Sequence, residues 1–316
     1  QEQSMLLVVC ALACIVAIAL VAGRRCARHR RRLRPKSPQQ LPKREVLHCD
    51  AVAWLEGLGL GGLPESCCVI TSLPDWSEVK RGRKDVTLCC YVEWFQRAAR
   101  LVLSRSPSGT LVVFMQTDIV SGGQWVDKGA LLCGAGEACG ATLLWHKAIF
   151  DADAPGAPRR GAGADYSHLL CFRAGPASPG KEEATARDLP DLMERGSKIY
   201  ARGMGVAAMR ATLHWLVRAQ PHLQLLVDPF CGRGTMLALA NSEGLSALGV
   251  DIDRKCVHSA SRMNLEALPL VGGAEMAEKC PRKKASYKLS ARDHRALVPD
   301  GQGRDDEDEG AEEEAE

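Results

Sequence analysis

The chain of 316 residues carries 41 Lys and Arg against 38 Asp and Glu, and hydrophobic residues make up 46% of it. That is ordinary globular composition, long enough for one large domain or two small ones, which excludes a short disulfide-stapled scaffold and a wholly disordered chain. The net charge of +3 hides two opposed ends, since Arg24 to Lys36 is densely basic and Asp305 to Glu316 almost wholly acidic, as solvated tails are.

From the N-terminus, Met5 to Ala22 is a nearly unbroken apolar run of 18 residues, close to the roughly 20 that a membrane helix needs. Positive charge follows the run instead of preceding it. The expectation is a membrane anchor with the remainder on the cytoplasmic side, with an organelle-targeting leader as the alternative reading of the Arg-rich flank. Residues 1–23 are therefore read as anchor or leader, 24–46 as a basic, Pro-rich linker, 47–270 as the folded domain, and 271–316 as a disordered acidic tail. The 14 cysteines include no C-x-x-C pair and no Cys/His set with zinc spacing. The adjacent pairs Cys67-Cys68 and Cys89-Cys90 read as small buried apolar side chains, which fits a reducing compartment.

Within the domain, Ala51 to Leu58 is expected as a short helix and Cys67 to Thr71 as a buried strand. Val86 to Leu103 has helical spacing, with Tyr91, Phe95, Ala98 and Val102 on one face. Strands are expected over Thr110 to Gln116, Ala141 to Lys147 and Ser167 to Phe172, with exposed excursions over Asp151 to Asp165 and Ala174 to Asp191. A helix over Met204 to Ala219 precedes a strand at Leu223 to Pro229, a helix at Thr235 to Ser242 and a strand at Ser246 to Ile252. Strands alternating with helices argue for an α/β fold, a mostly parallel, doubly wound sheet with helices on both faces.

Two segments carry chemistry. In the first, the apolar strand ending at Asp228 runs through Pro229-Phe230-Cys231-Gly232-Arg233-Gly234-Thr235 into a helix. Glycines there allow a sharp turn and close approach to a ligand, and the helix start offers free N–H groups. The next strand ends in Asp251, placed to bind ribose hydroxyls. The third Gly of a dinucleotide fingerprint is Leu237 here and the Gly-Lys-Ser/Thr of a P-loop is absent, which points to a nucleoside ligand without a pyrophosphate. In the second segment, a buried strand ends in Thr71-Ser72-Leu73-Pro74-Asp75-Trp76.

Joined, these segments resemble the β-class (permuted) amino-methyltransferases, which methylate cytosine N4 or adenine N6 in DNA or RNA. In that family a Ser/Asp-Pro-Pro-Tyr/Trp strand precedes an Asp-Pro-Phe-x-Gly-x-Gly-Thr cofactor loop, the order found here. His48-Cys49-Asp50-Ala51, Leu144-Trp145-His146-Lys147 and Ser167-His168-Leu169-Leu170-Cys171-Phe172 resemble further family elements, and the likeness spans Leu47 to Asn264. It implies a Rossmann-like methyltransferase fold, S-adenosyl-L-methionine as cofactor and nucleic acid as partner. By resemblance, Ser72 supplies a side-chain acceptor and Leu73 a carbonyl to the target amine, Pro74 stiffens the turn, and an aromatic stacks on the flipped base. Asp228, Gly232 and Gly234 would line the methionine end, Asp251 would hold the ribose, Asp50 would face the adenine, and Thr71, Pro229, Phe230 and Thr235 would belong to the same cofactor site.

Two positions depart from the family pattern. Leu73 replaces the first Pro, and Asp75 stands where the stacking aromatic belongs, leaving either Trp76 as the stacker or Asp75 as an acceptor suited to another substrate. A protein or small-molecule amine as substrate, and a catalytically silent methyltransferase-like scaffold, are the alternative readings.

Overall fold

The structure is a computed structural model, described over residues 42–81, 86–151, 164–176, 188–200 and 202–265. Residues 5–22, the basic run 24–36 and the tail 271–316 lie outside these, as do most of the two expected excursions. The expectation of a membrane anchor is corrected here. No helix among the described residues is long and apolar enough to cross a membrane, and the segment that raised the expectation lies outside them.

Strand β1 (Arg44–His48) leads to helix α1 (Ala51–Gly57), β2 (Cys67–Thr71), the single turn α2 (Trp76–Val79) and the long helix α3 (Leu88–Arg105). Next come β3 (Leu111–Gln116), the hairpin β4 (Ile119–Ser121) and β5 (Gln124–Val126), α4 (Lys128–Ala138), β6 (Thr142–Phe150), β7 (Tyr166–Arg173) and β8 (Leu192–Glu194). Helix α5 (Val206–Ala219), β9 (Leu225–Asp228), α6 (Thr235–Ser242), β10 (Ser246–Asp251) and α7 (Arg254–Arg262) complete the order. The main sheet runs β1-β10-β9-β2-β3-β7-β6-β8. Its first five strands are parallel, and β7 is antiparallel to both β3 and β6. This is the mostly parallel, doubly wound arrangement that the alternation of elements predicts.

Both faces of the sheet are covered, which is why β2 and β3 are buried along their whole length. Cys67 and Val69 pack under Leu55, Tyr91, Phe95 and Leu132 of α1, α3 and α4. Cys68 and Ile70 pack on the opposite side among Met209, Leu213, Trp215 and Met236 of α5 and α6. The pair Cys67-Cys68 therefore splits between the two faces, as alternation along a strand requires. Cys89-Cys90 departs from its expectation, because it lies in the first turn of α3, where Cys89 is exposed.

Seven of the described elements were not anticipated, namely β1, α2, β4, β5, α4, β8 and α7. The first strand begins at Arg44, inside the segment read as linker, and pairs with β10 in the register His48 to Asp251. Helix α4 forms despite its glycines, since a Cβ on Gly136 would lie 2.6 Å from Phe172 Cε1. Helix α7 buries Ala260 fully and is mostly polar, with Cys256 and Val257 half-buried.

Candidate active site

The five parallel strands bring their carboxyl ends to one edge, and the winding direction reverses between β9 and β2. β2 continues through α3 to β3 on one side, while β9 continues through α6 to β10 on the other. Such a switch point leaves a crevice at the strand ends, where ligands bind in open α/β sheets. Thr71 ends β2 and Asp228 ends β9 at that point. Thr71 Oγ1 donates to Asp228 Oδ1 at 2.7 Å although 157 positions separate them, and the Phe230 N–H donates to the same oxygen at 3.2 Å. Asp228 Oδ2 is buried without a hydrogen-bond partner. Burial pushes this carboxyl up to about 7, against the two hydrogen bonds that favour its charge.

The turn that follows depends on glycine at two places. Gly232 and Gly234 have φ of +53° and +88°, a region that side chains disfavour. A Cβ on Gly234 would also lie 2.7 Å from Ala260 Cα, and one on Gly232 would lie 2.7 Å from the Tyr200 hydroxyl. The Gly232 N–H donates to Asp251 Oδ2 at 3.0 Å and the Asp253 N–H to Asp251 Oδ1 at 2.7 Å. Asp251, at the end of β10, is pushed up to about 7, chiefly by burial. Pro229 and Phe230 are buried, with Phe230 edge-on to Trp94. Thr235 opens α6, and its Oγ1 is a second buried polar atom without a partner.

The segment after β2 faces this loop across the switch point. Ser72 is half-buried, Leu73 and Pro74 are buried, and the Tyr91 hydroxyl donates to the Pro74 carbonyl at 3.2 Å. Asp75 sits at the start of α2, where its N–H donates to Glu78 Oε2 at 3.0 Å and its carboxylate pairs with Lys128 Nζ. Trp76 tilts against Tyr91 at 5.7 Å, and Lys80 Nζ lies 4.9 Å over its ring. Asp50 reaches the same edge through the β1–β10 pairing, and its Oδ1 caps α1, accepting from Val52 N at 2.8 Å and Ala53 N at 3.1 Å. The structure thus joins Thr71 to Asp228 and Gly232 to Asp251 directly, and arranges the other expected residues around them.

Several residues at this edge carry no local sequence signal. Lys128 is fully buried, with its ammonium 5.8 Å from the ring centres of Tyr91 and Phe95. The Tyr200 hydroxyl accepts from the Arg233 N–H at 3.2 Å, and Arg202 pairs with Glu78. Beyond Lys128 lies a buried pair, Asp118 and His168, with Asp118 Oδ2 and His168 Nε2 3.0 Å apart.

The fold is a Rossmann-like methyltransferase fold. The chain is similar to a solved putative DNA modification methylase from Thermus thermophilus, at 17% identity and a TM-score of 0.50, over 69% of this chain and 92% of that one. The same Thermus protein complexed with S-adenosyl-L-methionine matches at 19% identity and a TM-score of 0.49, over 69% of this chain and 92% of that one. The PvuII cytosine-N4-specific DNA methyltransferase matches at 17% and 0.49, over 70% of this chain and 88% of that one. No protein-family model and no curated protein matches the sequence.

Proposed function

We propose that the chain is an S-adenosylmethionine-dependent N-methyltransferase whose target is an exocyclic amine of a nucleic-acid base, cytosine N4 or adenine N6. One observation carries the reading: two ionisable carboxylates, a glycine turn and the Ser72–Pro74 strand end converge on one switch point, with two buried polar atoms left unpartnered. Asp228 Oδ2 and Thr235 Oγ1 are those atoms, and the turn around Gly232 and Gly234 admits no Cβ. These features fit a ligand with a cationic amino acid end and a ribose. S-adenosylmethionine, when bound, supplies an electrophilic methyl group. Asp251 would accept from the ribose hydroxyls, while Asp228 and Thr235 face the methionine end.

An exocyclic amine is a poor nucleophile because its lone pair is delocalised into the ring. Ser72 Oγ and the Leu73 carbonyl, as acceptors for the two N–H groups, favour a tetrahedral nitrogen. The Tyr91 bond to the Pro74 carbonyl keeps that turn in place, so most of the acceleration comes from positioning. Asp75 favours a second reading, since a carboxylate where the family has an aromatic also suits a protein or small-molecule amine.

The test is calorimetric titration of S-adenosylmethionine into the full chain, with Asp251→Ala alongside. Micromolar binding that the substitution abolishes supports the reading. Absence of binding by a folded wild-type protein overturns it in favour of a silent scaffold.

A further inference from the structure

Trp145-His146-Lys147 and Ser167-His168 stand out in the sequence, and the cofactor site uses neither. In the sheet their histidines touch. His146 Nε2 lies 2.8 Å from His168 Nδ1, and His168 Nε2 lies 3.0 Å from Asp118 Oδ2. A carboxylate only accepts, so His168 carries its proton on Nε2 and its Nδ1 accepts from the His146 Nε2–H. Asp118 and His168 are buried, whereas His146 is exposed. Partial desolvation where it meets His168 lowers the His146 pKa below the usual imidazole value.

Two further exposed rings rest on the same pair. Trp125, in β5 of the hairpin, is 55% exposed, yet its indole N–H donates to Asp118 Oδ2 at 3.1 Å. Tyr166 is 39% exposed and stands edge-on to His168 at 5.1 Å. The β6–β7 register puts His146, Tyr166 and His168 on one face of the ladder. Three solvent-facing π-systems are therefore anchored by one buried carboxylate–imidazole pair, so the entropy of holding them still is spent on folding and not on binding.

The pair that anchors the rings is linked to the proposed catalytic segment through Lys128. Asp118 Oδ1 accepts from the Lys128 N–H at 2.8 Å, and the Lys128 ammonium pairs with Asp75. Asp75 occupies the position of the family's stacking aromatic, and the ring of Trp76 is taken up by Tyr91 and Lys80. Fixed, exposed rings linked to that position suit unpaired bases, because every base has a π-face and a duplex hides it. We propose that Trp125, Tyr166 and His146 form a stacking platform that holds single-stranded nucleic acid against the Ser72–Asp75 segment. The assignment deepens the methyltransferase reading and rests on it.

The experiment uses the full chain and a fluorescein-labelled single-stranded 15-mer, with the same sequence closed into a duplex as comparison. Binding is read by anisotropy with the labelled strand and by quenching of intrinsic tryptophan fluorescence with an unlabelled one. The single strand is expected to bind more tightly than the duplex and to quench the wild type, with the quench largely lost in Trp125→Phe. Trp125→Ala is expected to weaken binding about 5- to 100-fold, and Trp125→Phe, which keeps a ring, by much less. Near-ultraviolet circular dichroism shows that both variants are folded. Equal binding by wild type and Trp125→Ala overturns the platform, as does a wild type that binds no single strand or prefers the duplex. Calorimetry with S-adenosylmethionine on the same samples separates the two readings. Cofactor binding without strand binding ends the platform alone, and strand binding without cofactor binding ends the methyl-transfer reading alone.

Discussion

Asp251→Asn separates a carboxylate kept for binding from one kept for folding. In the folded protein Asp251 titrates at about 7, with burial the principal cause. A carboxyl whose folded value lies above its unfolded value near 4 contributes stability that is fully present below the unfolded value and is lost as pH rises through the folded one. Between pH 5 and pH 8 that loss is on the order of 3 kcal/mol for Asp251, since about two pH units below 7 each count for roughly 1.4 kcal/mol. Asn carries no charge and escapes the loss. It also has one acceptor oxygen where the carboxylate has two, so either the Gly232 or the Asp253 N–H loses its partner, at about 1–3 kcal/mol. The two effects cross. Asp251→Asn is expected to be less stable than wild type at pH 5 and level with it or more stable at pH 8, by up to about 2 kcal/mol, or roughly 4–8 °C in Tm for a domain of this size. Urea denaturation at both pH values measures this, and the pH-dependent loss should fall to roughly half because Asp228 still titrates at about 7. A variant less stable than wild type by the same margin at both pH values would refute the reasoning, because Asp251 would then be a structural hydrogen-bond acceptor with no burial penalty.

Gly234→Ala must place a side chain at φ of +88° and 2.7 Å from Ala260 Cα, so it should cost about 2–4 kcal/mol in a urea titration and weaken the proposed cofactor site with it; a cost under about 1 kcal/mol would mean that α7 shifts freely. Ser72→Ala removes one hydroxyl from a half-buried strand end, so stability should change by less than about 1 kcal/mol. Methyl transfer should meanwhile fall at least about tenfold, a loss of one transition-state hydrogen bond; full turnover in single-turnover assays would remove Ser72 from the catalytic assignment.

The order of the main strands and helices, and both segments that form the proposed cofactor and amine sites, were legible because their signals are local. An apolar run into Gly232 and Gly234 declares a strand, a turn and a helix within a dozen residues. What escaped is set by contacts distant in sequence. Arg44 to His48 looks like linker because it follows the basic, Pro-rich run and holds only two apolar residues, Val46 and Leu47, and it becomes a strand only beside β10. The glycines of α4 suggest a loop until Phe172 is packed against Gly136. Lys128, Tyr200 and Asp118 have no sequence signature because each is defined by a partner dozens of positions away, and His168 stands out only as part of its strand, not as the partner of Asp118. Asp50 shows the converse. Its short-range role as a helix cap is the ordinary reading of an Asp before an apolar run.

The pairing of β1 with β10 has a consequence for biosynthesis. The first of the described strands to leave the ribosome waits for the last of them, and β2, the central strand, lacks its β9 neighbour until more than 150 further residues are made. Until then both strands offer bare backbone edges, with Cys67, Val69 and Ile70 uncovered, the kind of surface that nascent chains bury in one another. Maturation should therefore be post-translational and close to all-or-none. A messenger truncated ahead of Leu225 would yield an aggregating product instead of a stable half-domain, and yield in a cell should depend on chaperones that hold the chain until its end arrives.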